Sequence, residues 1–377
     1  MGNLDMNLKS FQAVGAICVT ALAFGLISTA TATAEPTTSN RPLAAVGSDT
    51  IQDVWNALSN TGPIKSVASY NAFGDAATIV TKTGVTPITR PNGSGAGVKA
   101  LSASLNPLNH VYKDSANNSF TLKKNDVDIA RSSSSPSVTG TDLTFLPFAR
   151  DAVTVAVKDA ANRPLSLTTQ QVANIFSCTA GDGVTIDGTT GKPVFGTMTF
   201  TPKLPQAASG TRAFFLKAIG VTPNTTCISD AEQVYPENNG EALVNDGDIF
   251  PFSAAQWIAQ KNGAMTDTTT AGQLLADIDG LKAIDQNTAA PALAPGDLYG
   301  DPAVAPASGK GIFARDTYNV VSSGVQTSKL TYNVVLNNAV STSLKTTAGK
   351  SIITKFGFKT LSYVGDWTMG KKSGYTN

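Results

Sequence analysis

Histidine is almost missing from this chain. His110 is the single example among 377 residues, and cysteine occurs three times. Transition-metal centres draw on His and Cys at close spacing, so little is present to build one. A Ser–His–Asp triad would have only His110 as its base, and no G-x-S-x-G elbow occurs. Charge is sparse too. Charged residues make up 15% and the formal net charge is +1, so a nucleic-acid-binding surface is not indicated. Hydrophobic residues at 41% suffice for a sizeable core, and their abundance excludes a disordered chain. After residue 34 there is no long apolar run, so a membrane span is not expected in the mature chain.

What is there begins with a leader. Lys9 precedes the run AVGAICVTALAFGLI, and the small residues of STATATAEP follow. A charged start, a short apolar core and an A-x-A site predict a secretory signal peptide over residues 1–34, cut after Ala34. The mature protein is then expected outside the cytoplasm, either secreted or in the periplasm or cell envelope. Cys18 leaves with the leader, and GAIC is a poor lipoprotein site. Cys178 and Cys227 remain. In an oxidising compartment an isolated pair is expected as a disulfide, closing a loop of about 50 residues, worth roughly 4 kcal/mol on the chain-entropy model. A metal pair and a catalytic thiol are the other readings.

Strand and helix patterns alternate along the chain, which predicts an α/β architecture, and the length suits two lobes. LAAV reads as a short strand, and Ile51, Val54, Trp55 and Leu58 then recur at helical spacing. LTFLPFARDAVTVAVKD is a long β-prone run, and DVDIARSSSSPS is an alternating strand running into serines. Thr168 with Gln171 three residues later forms a capping-box pattern, with Val172, Ile175 and Phe176 as the buried side of that helix. Residues 265–310, rich in Ala, Pro, Gly and Asp, give no periodicity.

Three segments share one grammar of strand, small polar residues with glycine, then helix: VGSDTIQ, PNGSGAGVK and QAASGTRAF. Helix N-termini expose unpaired N–H groups and a partial positive charge, hydroxyls add donors beside them, and glycine permits close approach. Such turns make anion sites that need little formal charge. Each alone reads equally as a helix cap worth about 1 kcal/mol. Together with the serine run 132–135, they suit a tetrahedral oxyanion, because turns of this kind gather at the carboxyl ends of strands in open α/β sheets.

On these residues the chain resembles the phosphate-binding proteins of ABC transporters, within the two-lobed type 2 periplasmic binding superfamily. VGSDTIQDVWNAL, GSGAGVKAL, DIARSSSSP and SGTRAFFLKAIG match the family's four binding turns, LSLTTQQVANIF its helix after the first crossover, and ENNGEALVNDGDIFPFS its return segment. The resemblance implies two lobes, each a mixed sheet flanked by helices, joined by two crossover strands. Lobe one would comprise 43–149 and 251–377, and lobe two 150–250. It implies a ligand set of Ser48, Asp49, Thr50, Ser94, Gly95, Ser132, Ser133, Ser209, Gly210, Thr211 and Arg212. It further implies phosphate or a related oxyanion as ligand, an ABC transporter permease as partner, a monomer, and neither cofactor nor metal. Asp49 is expected to turn its carboxylate away from an anion and cap the helix.

Two positions depart from the family. The third turn usually carries an aspartate that accepts a proton from hydrogen phosphate, and here Ser133 stands there. An arginine usually precedes the fourth-turn serine by four residues, and here Pro205 does. Arg131 and Arg212 are the candidate cations, or else surface salt-bridge residues. Without the acid, nothing rejects a fully deprotonated anion such as sulfate. The rival readings are an exported interaction or surface protein that keeps the fold without transport, and an exported hydrolase or phosphatase.

Overall fold

The computed structural model describes residue 35 and residues 41–300 and 312–377. The expected signal peptide lies outside the described residues. Nine strands join in one mixed sheet: β1 (Leu43–Gly47), β2 (Val67–Ser69), β3 (Ile129–Ser132), β4 (Leu143–Lys158), β5 (Thr201–Pro202), β6 (Asp248–Ser253), β7 (Gln273–Leu275), β8 (Ala314–Ser322) and β9 (Lys371–Ser373). The order is β5-β6-β4-β8-β3-β1-β2, with β7 and β9 also paired to β4. β1 runs parallel to β2 and β3, while β8 is antiparallel to β3 and β4. The helices that matter for the site are α1 (Gln52–Asn60), α2 (Ser94–Leu105), α3 (Thr169–Ser177), α4 (Gly210–Ile219) and α5 (Ala254–Lys261).

β4 is the long β-prone run realised as one strand of 16 residues, about 50 Å of extended chain. Its two ends belong to different cores. Leu146 and Phe148 pack with Leu43, Trp55, Val340 and Phe358, while Phe145 faces the other side of the sheet against Leu101 and Tyr318. Val153, Val155 and Val157 pack instead with Phe176, Phe215, Ile249 and Ile258. The fold is thus the two-lobed mixed α/β arrangement, with β4 continuous between the lobes. Trp55, fully buried on α1, stacks near Phe148 with ring centroids 6.1 Å apart, and its indole N–H donates to Asn319 Oδ1 at 2.9 Å.

β3 is buried along its whole length rather than on one face. It lies inside the sheet, between β1 and β8, where both faces are covered. The Thr168–Gln171 capping box forms, with Val172, Ile175 and Phe176 buried behind it. Cys178 and Cys227 are joined in a disulfide, 49 residues apart in the chain. Leu298, Tyr299 and Phe313 pack into the core of α3 and α4, beyond the boundary expected at residue 250. Residues 265–300, which hold the first two, showed no periodicity because they are mostly turns and short bridges anchored one side chain at a time. Among the described residues no helix is long and apolar enough to cross a membrane.

Candidate functional site

The topology brings the hydroxyl-bearing turns together. Ser48, Asp49 and Thr50 follow β1, Ser133 follows β3, Ser94 opens α2, and Ser209, Gly210 and Thr211 sit at the start of α4. All six hydroxyl side chains in this set are 2% exposed or less. Ser48 Oγ donates to Ser133 Oγ at 3.2 Å, and Ser133 Oγ lies 3.2 Å from Ser94 Oγ. The Ser133 N–H donates to Ser94 Oγ at 2.9 Å. Across the lobes, Thr50 Oγ1 and Thr211 Oγ1 are 3.2 Å apart.

No room is left between them. A Cβ placed on Gly210 would lie 2.4 Å from both Ser94 Oγ and Ser133 Oγ, and one on Gly93 would lie 2.5 Å from the Ala208 carbonyl oxygen. These are lobe-to-lobe contacts that only glycine permits.

A carboxylate fills the centre. Thr50 Oγ1 donates to Glu237 Oε2 at 2.6 Å and Thr211 Oγ1 donates to the same oxygen at 2.8 Å. A threonine hydroxyl has one proton, so both spend it on Glu237, and the Thr50–Thr211 approach is a contact rather than a bond. Thr211 in turn accepts from Arg315 Nη2 at 2.8 Å. Arg315 also holds Asp151 through Nε at 3.1 Å and Nη2 at 2.9 Å. Asp151 accepts further from Ser253 Oγ at 2.8 Å. Gln256 donates its amide to the Thr50 carbonyl, and the Ser253 N–H donates to Asn238 Oδ1 at 2.9 Å. The turn after β1 is thereby tied to residues 237–256.

Asp49 departs from its expected role. The α1 N-terminus has no side-chain cap, and the Asp49 carboxyl lies against Glu237. Burial first, and then the adjacent Glu237 charge, push Asp49 well above the ordinary 3.8 of an aspartate. Burial would raise Glu237 as well, but the hydrogen bond from Asp49, the Arg315 charge and the Ser209 and Thr50 hydroxyls outweigh it and hold Glu237 below its usual range. Asp49 is therefore the acid and Glu237 the anion. Asp49 Oδ1 and Glu237 Oε1 are both buried without another hydrogen-bond partner among the described residues.

The remaining expected residues fall elsewhere. Ser132 Oγ donates to the Ser134 carbonyl at 2.8 Å, within its own turn. Gly95 is exposed. Arg131 is fully buried but spends its guanidinium on the Ser48, Ala45 and Tyr70 carbonyls and on Ser69 Oγ. Arg212 turns to the Pro205 carbonyl at 2.9 Å and to Gln233 Oε1 at 2.7 Å. Neither faces the cluster; the guanidinium that does is Arg315. Ser209 keeps its cap role as well, accepting from the Arg212 N–H at 2.9 Å. Beside the cluster opens a chamber of about 1090 Å³, lined in part by Gly95, Ser133, Ser209, Gly210 and Arg315. Among the described residues no group of His, Cys, Asp and Glu is arranged to hold a metal ion.

The family model described as the PBP superfamily domain matches residues 32–324. The chain belongs to the PBP superfamily. Among solved structures, this PBP-superfamily chain is similar to a DING protein at 14% identity and a TM-score of 0.50, over 86% of this chain and 92% of that one. It is also similar to an ABC-type phosphate transport receptor from Vibrio cholerae, at 14% identity and 0.47, over 85% and 100% of the two chains. A phosphate binding protein from Stenotrophomonas maltophilia aligns at 16% identity and 0.46, over 86% and 91%. No curated protein matches it.

Proposed function

We propose that this PBP-superfamily protein is an exported, monomeric solute-binding protein. It captures phosphate or a related oxyanion between its two lobes and delivers it to an ABC transporter permease, making and breaking no bond. One observation carries the reading. Hydroxyls from turns of both lobes converge on an anion and already hold one, the Glu237 carboxylate, with no ion pair to it among the described residues. This is the coordination an oxyanion needs, and the four turns supplying it are those that resemble the phosphate-binding family. We take the hinge to be the two crossovers near 148–152 and 249–253; the second of these pairs with β4 just beyond the first, at 153–157. On their packing, we place Leu298, Tyr299 and Phe313 with lobe two.

The test is isothermal titration with phosphate, sulfate and other small oxyanions. Ser94→Ala, Ser209→Ala and Thr211→Ala should each weaken binding by about 1–3 kcal/mol, the usual loss for a hydrogen bond to a charged group. Wild-type binding in all three would place the site elsewhere. The occupancy of the cluster by Glu237 favours a second reading, an exported interaction protein that keeps the fold without a transported ligand. No heat and no thermal shift with any oxyanion would select it.

A further inference from the structure

The inner hydroxyl cluster is full, yet a chamber of about 1090 Å³ lies against it. Closure of the lobes does not account for that space as an open cleft awaiting collapse. The turns bounding it already touch, at Gly93 against Ala208 and at Gly210 against Ser94 and Ser133. Pockets for drug-sized ligands span roughly 300–1,000 Å³, so a bare tetrahedral oxyanion would leave most of this volume as water.

The lining has a polarity. Arg315, 3% exposed, is on the wall, and its Nη1 has no hydrogen-bond partner. A buried guanidinium N–H left unpaired is costly, and a ligand oxyanion on that wall would satisfy it. Phe214 lies beneath the same guanidinium, 5.4 Å from Arg315 Cζ to the ring centroid, and also faces the chamber. Lys99, Lys113 and Lys217 line it too, and their side chains make no hydrogen bond or ion pair among the described residues. In a chain whose formal net charge is +1, this concentration of unpaired cations is local. The wall's carboxylates are spent: Asp316 on Arg150 and Tyr363, Asp114 on its own turn.

We propose that the ligand of this cleft is an organic phosphate, a phosphate monoester on an apolar or aromatic body, seated with its anion on the Arg315 and lysine side of the chamber and its body against Phe214. The proposal rests on the oxyanion-binding reading above and narrows its substrate class. Phosphate suits the planar fork of an arginine, and the phenyl ring offers a face to an apolar body.

The experiment titrates the purified protein with inorganic phosphate, phenyl phosphate and phenol. Phenyl phosphate should bind at least tenfold tighter than inorganic phosphate, and phenol not at all. Phe214→Ala should remove the advantage of the phenyl group. Lys99→Glu with Lys217→Glu, both away from the buried cluster, should weaken phenyl phosphate at least tenfold while circular dichroism and the unfolding midpoint stay as in the wild type. Inorganic phosphate binding as tightly as phenyl phosphate, or indifference to the lysine reversals, overturns this proposal and leaves the oxyanion reading standing. Binding of neither anion overturns both.

Discussion

The inner cluster and the outer chamber share Ser133, Ser209, Gly210 and Arg315, yet they are opposites. Inside, every hydroxyl has a partner, the donors point at an internal carboxylate, and there is no space. Outside, there is ample space, and among the described residues three lysines lack partners and one guanidinium nitrogen is unsatisfied. Convergence of donors and vacancy of a site are therefore separate properties. A group of hydroxyls in one cleft creates demand for an anion, and here the chain itself meets that demand with Glu237. Unmet demand sits one layer further out, around Arg315 Nη1.

Arg315 joins the two regions, so removing it should have the largest effect. Arg315→Ala leaves Asp151 buried without its cation, which typically costs about 3–5 kcal/mol. Lys217→Ala, on the chamber wall, should stay within about 0.5 kcal/mol. Urea unfolding of the two variants measures both. An Arg315→Ala variant as stable as Lys217→Ala would mean that the inner region is not held by this ion pair, and the contrast would collapse.

The next test acts on the occupant. Glu237→Gln keeps the shape of the side chain and removes the charge that an incoming anion must face. Juxtaposed like charges are strongly unfavourable, so inorganic phosphate should bind about tenfold tighter to the variant, or roughly 1.4 kcal/mol. Titration calorimetry reads this directly. An affinity that is unchanged or lower would show that Glu237 does not compete with the ligand.

How much of this was legible in the sequence depends on distance along the chain. Ser48, Thr50, Ser94, Ser133 and Ser209–Thr211 announce themselves locally, each between a strand pattern and a helix pattern, and the fold does gather them. Glu237 carries no local sign. It matters only because Thr50, 187 positions away, and Thr211, 26 positions away, reach it. Arg315 did leave a trace. Ala-Arg-Asp occurs at 149–151 and again at 314–316. In the antiparallel β4–β8 pair these tripeptides face each other, Asp151 opposite Arg315 and Arg150 opposite Asp316. The two pairs form separately, Asp151–Arg315 buried in the inner cluster at 2.9 Å and Arg150–Asp316 at 3.1 Å, with Asp316 on the chamber wall. A repeated Arg-Asp in two predicted strands is thus a readable signal for reciprocal ion pairs. Residues 273–299 were illegible for the reverse reason, being held by scattered anchors rather than by any repeat.

The effect that isolates the inner cluster from the chamber, and the smallest at any single pH near 4, is on pH dependence. Burial and Glu237 raise Asp49 above 3.8 in the folded protein, so the folded chain keeps a proton that the unfolded chain has released once the pH passes about 4. Folding is then linked to proton uptake, and Asp49's contribution to stability declines as the pH rises from that point through its raised folded value. Glu237 acts oppositely: held low, it contributes stability above the ordinary 4.5 that is lost as the pH falls through its folded value. Asp49→Asn should remove the first dependence alone, because an amide still donates to Glu237 but has no proton to release. The slope removed is at most about 1.4 kcal/mol per pH unit, the limit for one proton. Unfolding free energies measured from pH 4 to 8 should therefore fall less steeply in the variant than in the wild type, with phenyl phosphate binding in the chamber little changed at pH 5. Parallel curves would mean that Asp49 is already ionised in the fold and that the carboxyl pair shares no proton.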